Sequence, residues 1–317
     1  MRRAADPVTT VVIVPARNEE LRIADCLGAL AAQPVDGTAV ILVANNCDDR
    51  TVHIARELAN TAGLRLDVLE CTLNSGAGVG TARRLGCDHA RALWPEAAYL
   101  LSTDADCLVA PDWIARNRFH LAQIPAVCGR VEPMAGELSV LCDIEIVPAE
   151  MEGRYERLVI EFYRHFRPGP CGLDGDHGGA AGASLAVHAS AYRAVGGFAD
   201  VATGEDRDLV RRLKTGGFGV LHAGDVCVAA SCRLDGRAGG GMSDALRARA
   251  ERRDYLIDEA LPPAQALIDA ATNGNLGPWP LQVAAQDRLR ARDLAPHITC
   301  LENALHAVRL RQGSGVC

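Results

Sequence analysis

The sequence contains no uninterrupted apolar run approaching the roughly 18 residues that a membrane-spanning helix requires. Its start, MRRAADPVTT, lacks the apolar stretch of a secretory leader. Both absences point to a cytoplasmic location, while leaving room for contact with a membrane surface. Basic residues are in deficit: 33 Lys and Arg stand against 40 Asp and Glu, a net charge of −7. There is thus no cationic surplus to neutralise nucleic-acid phosphates, and no nucleic-acid partner is expected. C-x-x-C spacing is also missing. Cys227 and Cys232 are the closest pair, too far apart for half a zinc ribbon. The twelve cysteines are scattered, several, such as Cys87 and Cys128, in apolar or helical contexts, and they read as reduced thiols. No internal repeat appears, and no low-complexity tract beyond short glycine runs.

What is present is an apolar fraction of 49%, ample for a substantial core in a chain of 317 residues. Four short apolar runs come early, at Val8 to Val14, Ala39 to Ala44, Leu64 to Leu69 and Ala98 to Thr103, each bounded by polar turns. Between them, Leu21, Ala24, Leu27 and Leu30, then Val52, Ala55 and Leu58, then Ala82, Leu85 and His89 recur at helical spacing. Strand and helix alternate, so a parallel sheet is expected, with ligands bound beyond the carboxyl ends of its strands. Four polar loops converge there: PARNEE, NNCDDRT, NSGAGVGTARR and TDADC. From about residue 126 the alternation loosens, with the glycine-rich stretch PGPCGLDGDHGGAAGAS, a short helix in RDLVRRLKTGG and a strand from Val220 to Ala230. After the loop DGRAGGG the chain turns alanine-, leucine- and arginine-rich, which suits about three helices.

Asp104 and Asp106 follow the fourth run, where alternate carboxylates can aim at one hard divalent cation. Such a cation would neutralise a diphosphate. Taken alone, D-x-D is weak, and either aspartate could instead cap the helix that starts near Pro111 and Asp112. Glu205 and Asp206 precede an amphipathic helix, where a carboxylate can serve as general base or merely complement the helix dipole. Gly76, Gly78 and Gly80 have G-x-G-x-G spacing with no acidic residue at the distance a nicotinamide site needs. They could still let backbone approach phosphate, with Arg83 or Arg84 supplying charge. His177, in glycine-rich surroundings, and His222, in an apolar strand, are candidate metal or acceptor ligands. His53, His89 and His120 fall in helical patterns and carry no functional reading.

These loops, in this order, resemble the GT-A enzymes of glycosyltransferase family 2 over roughly residues 8 to 240. VVIVPARNEE resembles the family's opening strand and P-x-x-N-E, which implies donor contacts at Pro15, Arg17 and Glu19. ILVANNCDDRT is similar to the second-strand loop, with Asn45 in the place of an aspartate that helps hold the nucleotide base. GTARRLG is similar to A-R-N-x-G and implies Arg83 near the diphosphate, with Arg84 in the asparagine place. TDADC matches D-x-D, implying Asp104 and Asp106 on Mn2+ or Mg2+ and Asp104 beside the donor. HGGAAGASLAVHASAYRAVGGF is similar to the acceptor segment, implying acceptor contacts at His177, Gly182, Ala183 and Ser184. GEDRDLVRRL resembles the E-D element, implying Asp206 as base with Glu205 beside it. SCRLDGRAGGG is similar to a serine-x-arginine segment of some relatives. Ala230, Ser231 and Cys232 stand where others carry a metal-binding histidine, which leaves water or His222 as a third ligand.

The resulting expectation is an α/β GT-A fold, a mainly parallel Rossmann-like sheet flanked by helices with a C-terminal helical extension. Residues 1-125 form the nucleotide-sugar half, 126-240 the acceptor half and 241-317 the extension. The expected activity is inverting, metal-dependent transfer from a nucleotide-diphospho-sugar donor to a hydroxyl acceptor. A non-catalytic GT-A-like nucleotide- or carbohydrate-binding scaffold is the rival reading. A sugar-phosphate nucleotidyltransferase would need glycines directly after the first strand, and PARNEE has none.

Overall fold

A computed structural model of the chain describes residues 7–33, 36–74, 76–141, 146–234, 236, 246–248, 251 and 254–313. The expected loop DGRAGGG, at 235–241, lies outside them except for Gly236. All four early strands form, with ends shifted by one or two residues: β1 (Thr10–Ala16), β2 (Thr38–Asn45), β3 (Leu66–Cys71) and β4 (Tyr99–Ser102). β1 is buried along its whole length, as a strand covered on both faces must be, which is why its sequence runs apolar without alternation. β3 lies at the sheet edge and carries Asp67 and Glu70, charges that discourage further pairing.

These strands pair in parallel in the order β3-β2-β1-β4. The remainder is mixed: β8 (Leu185–His188) runs antiparallel between β4 and β6 (Ala126–Pro133). β9 (Val220–Ala230) follows parallel to β6, with β5 (Cys107–Val109) and the two-residue β7 (Asp174–Gly175) paired to it. The irregularity expected after residue 126 is therefore a change of strand direction within one nine-stranded sheet.

Helices cover both faces. One face packs against α3 (Val79–Leu93), α6 (Ala189–Ala194) and α7 (Glu205–Thr215), through Ala82, Tyr192 and Leu209 among others. The other packs against α1 (Ile23–Ala31), α2 (Thr51–Ala62) and α4 (Trp113–Leu121), through Leu27, Ala55 and Trp113. Leu21 was expected on the buried stripe of α1 but is 85% exposed, because the helix begins only at Ile23. A third core joins α5 (Ile146–Phe166) to the C-terminal segment with α8 (Ala264–Thr272) and α9 (Leu294–Gly313), through Tyr155, Phe162, Trp279 and Leu301. No helix among the described residues is long and apolar enough to cross a membrane. The ten cysteines described carry free thiols, Cys87 and Cys128 buried as small apolar residues.

α3 lies close on the sheet because Gly86 has no side chain. A Cβ there would sit 2.6 Å from Ile13 Cγ2 and 2.8 Å from Val43 Cγ2. Gly86→Ala is therefore expected to destabilise the fold by about 1–3 kcal/mol through overpacking. A lower urea midpoint with unchanged slope is the expected readout; an unchanged midpoint refutes the close-packing account.

Candidate active site

Because β1 to β4 are parallel, the loops that follow them open on one side of the sheet. Two asparagines at the strand ends adopt left-handed backbone, Asn18 with φ 54° and Asn46 with φ 51°, a region asparagine tolerates better than most residues. Each spends its side chain lacing neighbouring loops together. The Asn18 amide donates to Asp48 Oδ1 at 2.6 Å and accepts the Asp48 N–H at 2.9 Å. The Asn46 amide donates to the Leu73 carbonyl at 3.1 Å and accepts the Leu73 N–H at 2.9 Å. Asn45 donates to the Ala16 carbonyl at 3.0 Å, joining the ends of β1 and β2.

Arg83, 3% exposed, sits at the centre. Its Nε donates to Ser102 Oγ at 3.0 Å, one Nη donates to Asp104 Oδ1 at 2.5 Å and the other is ion-paired with Glu205. Burial works to lower its pKa, but the charges of Asp104 and Glu205 outweigh that and raise it. Glycines make the room: a Cβ at Gly182 would collide with the guanidinium, and one at Gly80 would lie 2.6 Å from Glu205 Cγ. Of the third-loop glycines, Gly76 has open space beside it, whereas the Cβ side of Gly78 is filled by the Val201 and Ala202 carbonyls and that of Gly80 by Glu205. Arg84 turns away to donate to the Phe198 carbonyl at 3.1 Å.

Asp104, Asp106 and Cys107 bring their ligating atoms within 4.8 Å of one another. Burial, with Asp104 next in weight, pushes the Asp106 carboxyl up to about 6, and Arg233 opposes the shift. Burial and the same two aspartates hold the Cys107 thiol well above its usual range, so it stays protonated. Two facing carboxylates are a donor set suited to a hard divalent cation, so the residues fit the group expected there. Arg233 is ion-paired with Asp106 Oδ2 at 2.9 Å and grips both oxygens of Glu19, at 2.8 and 2.5 Å. Glu137 accepts from Ser231 Oγ at 2.9 Å and from the Cys232 N–H at 2.8 Å, fixing the segment that carries Arg233.

Asp206 and Glu205 open α7, whose first turn is acidic and last turn basic, in line with the helix dipole. They differ in partners. Glu205 is buried on Arg83; burial first, then Asp206, raises its pKa against the pull of Arg83. Asp206 instead accepts backbone N–H bonds, from Gly182 at 2.8 Å and from Arg207 at 2.7 Å. The Gly182 N–H thus ties the glycine-rich loop to Asp206.

Of the other expected residues, Pro15 is buried within β1, Arg17 is exposed and Glu19 is buried on Arg233. Ala183 and Ser184 are core residues, and the Ser184 hydroxyl accepts the Trp113 indole N–H at 3.0 Å. His177 accepts the Gly179 N–H at Nδ1, 3.0 Å, which leaves Nε2 protonated toward the Ala223 carbonyl at 3.3 Å. His222 is fully buried; Nδ1 donates to the Gly179 carbonyl at 2.8 Å and Nε2 accepts from Lys214 at 3.1 Å. Both its nitrogens are committed and it stands outside the group around Asp106, so it is not the third ligand that the sequence left open. Arg233, by contrast, is the arginine of the serine-x-arginine segment, to which the sequence assigned no role in the site. No local pattern connects it to Glu19, 214 positions away.

Residues 11–137 match the family described as Glycosyl transferase family 2. No curated protein sequence matches the chain. Among solved structures, the mannosyltransferase PcManGT from Pyrobaculum calidifontis, in complex with GDP-Man and Mn2+, superposes with a TM-score of 0.57 at 19% identity. The superposition covers 99% of this chain and 84% of that one. S. aureus TarS 1-349, in complex with UDP-GlcNAc, superposes at 0.52 and 15% identity, covering 74% of this chain. The match spans 61% of that TarS chain. These likenesses establish the fold as that of the GT-A glycosyltransferases.

The raised Asp106 pKa makes a signed prediction. A carboxyl whose folded pKa of about 6 lies above its ordinary value of 3.8 favours the fold fully below pH 3.8, and that contribution is lost as pH rises through 6. Asp106→Asn should therefore gain up to about 3 kcal/mol over the parent at pH 8 and nothing below pH 4. Denaturant titrations at the two pH values test this; equal gaps at both would sink it.

Proposed function

We propose that the chain is a glycosyltransferase that moves a sugar from a nucleotide diphosphate to a hydroxyl acceptor with inversion. Asp104 and Asp106 hold Mn2+ or Mg2+, and Asp206 acts as general base. The observation that carries this reading is the convergence of Asp104, Asp106, Arg83 and the Glu205–Asp206 pair at the carboxyl ends of the parallel strands, the edge where this sheet class binds ligands. The family match over residues 11–137, and the UDP-GlcNAc and the GDP-Man with Mn2+ held by the two similar structures, support the donor class.

When bound, the cation supplies positive charge opposite the departing diphosphate. Arg83 adds a fixed guanidinium beside it, already held by Ser102 and Glu205. That leaves Glu205 as the residue that positions Arg83 and assigns the base to Asp206, whose carboxylate meets two backbone N–H donors and no guanidinium in its hydrogen bonds. Asp206 takes the acceptor hydroxyl proton as that oxygen attacks the anomeric carbon from the face opposite the diphosphate. The loop from His177 to Gly182 forms the acceptor side, with Ala183 and Ser184 supporting it from the core. Asn45 and its neighbours, laced between β1, β2 and β3, form the base-binding side.

A thermal-shift screen of UDP-, GDP- and other nucleotide-sugars with Mn2+ or Mg2+ identifies the donor, since a ligand that binds only the folded state raises its stability. With that donor, Asp206→Asn is expected to slow transfer by about 10²–10⁴-fold while leaving donor affinity within a few-fold. Full activity in this variant removes Asp206 as base. Asp106→Ala should abolish cation-dependent nucleotide binding in calorimetry. Product anomeric configuration decides inversion. Binding with no turnover on a broad acceptor panel assigns the scaffold role instead.

A further inference from the structure

The cation site is already crossed by a protein cation. Arg233 grips both Glu19 oxygens with its two Nη atoms, and the Nη2 on Glu19 Oε1 also reaches Asp106 Oδ2 at 2.9 Å. Its Nε is buried and has no hydrogen-bond partner among the described residues, so the guanidinium is not fully satisfied by this arrangement. Glu19 is 5% exposed and cannot follow a departing partner into solvent; its backbone N–H is fixed to Thr51 Oγ1 at 2.7 Å. Asp104 is likewise held by Arg83. Each of the two carboxylates assigned to the cation therefore already carries an arginine, but the two arginines differ. Arg83 is buried in a helix and braced by Ser102 and Glu205. Arg233 lies beyond the end of β9, with a backbone tied through Ser231 and Cys232 to the single carboxylate of Glu137.

We infer that Arg233 is an exchangeable counter-cation that competes with the divalent ion for Asp106 and, once displaced from it, binds the donor diphosphate, so that cation and nucleotide bind cooperatively. This rests on the cation and donor assignments proposed above. A guanidinium 2.9 Å from the Asp106 carboxylate opposes any second cation on that oxygen. A cation that takes Asp106 releases Nη2 from that carboxylate, and Nη2 with the unpartnered Nε then offers the paired donors that suit the oxygens of a diphosphate. Each ligand thereby lowers the cost of the other, and the coupling is reciprocal.

Isothermal titration of the full chain with Mn2+ alone, with UDP and GDP alone, and with each nucleotide in saturating Mn2+ measures the coupling. In the parent protein Mn2+ should raise affinity for the preferred nucleotide at least about tenfold, within the range usual for coupled sites. Arg233→Met should move the two ligands in opposite directions: Mn2+ alone binds about tenfold tighter, and the nucleotide in saturating Mn2+ binds about tenfold weaker. A residue that merely supports the fold would weaken both. Should Arg233→Met fail to fold, Arg233→Lys carries the test, because one ammonium cannot span Glu19 and Asp106 as a fork does, and Mn2+ alone again binds tighter. If the parent binds neither Mn2+ nor nucleotide, the cation and donor assignments fall. If it binds both and the substitutions leave the coupling unchanged, the role given to Arg233 alone is overturned.

Discussion

The buried guanidinium of Arg83 is the interaction on which the site depends. It joins three elements that are remote in sequence: α3, which carries it, the end of β4 through Ser102 and Asp104, and the start of α7 through Glu205. Burying one charge this deeply is tolerable only because every part of the fork meets an acceptor. Removing Arg83 would leave the buried Glu205 carboxylate uncompensated, a loss of about 3–5 kcal/mol in comparable buried pairs. Gly80 and Gly182 are the steric condition for it, since a side chain at either would occupy the volume of Glu205 or of the guanidinium itself.

Around that anchor the site is overdrawn in negative charge. Glu19, Asp104, Asp106 and Glu205 face two arginines, with Asp206 close by. Burial first, and the neighbouring Asp104 charge next, raise the pKa of Asp106. Such groupings cost stability in the isolated fold and are a mark of sites built for a charged ligand rather than for packing.

Behind the site the glycine loop is held by its backbone. The Gly172 carbonyl accepts from Lys214 at 2.7 Å, that of Gly178 from the Trp279 indole at 2.7 Å and that of Gly179 from His222. Burial brings Lys214 down to about 8 and holds His222 well below its usual value, with Lys214 adding to the effect on His222. A segment this rich in glycine has little side-chain packing of its own, so its conformation is fixed by donors from α7, β9 and the C-terminal segment. The third core thereby reaches the loop whose Gly182 meets Asp206.

The sequence by itself determined the alternating strands and helices of the first half. Their burial pattern has a short period, and each apolar run reports its own environment. It also offered the carboxylates and Arg83 or Arg84 as candidates, because D-x-D after a strand and arginines at a helix start are local patterns, and the family resemblance pointed to Arg83 between the two. It could not determine that β8 reverses direction beside β4, since antiparallel and parallel strands share one composition. Only the tertiary structure decided that Glu205 serves Arg83 while Asp206 meets the Gly182 N–H, that Ser184 turns to Trp113, and that Arg233 closes on Glu19 and Asp106. Each of these is a pairing across long sequence separation. Residue type states what a side chain can bind, and folding alone states which partner lies within reach.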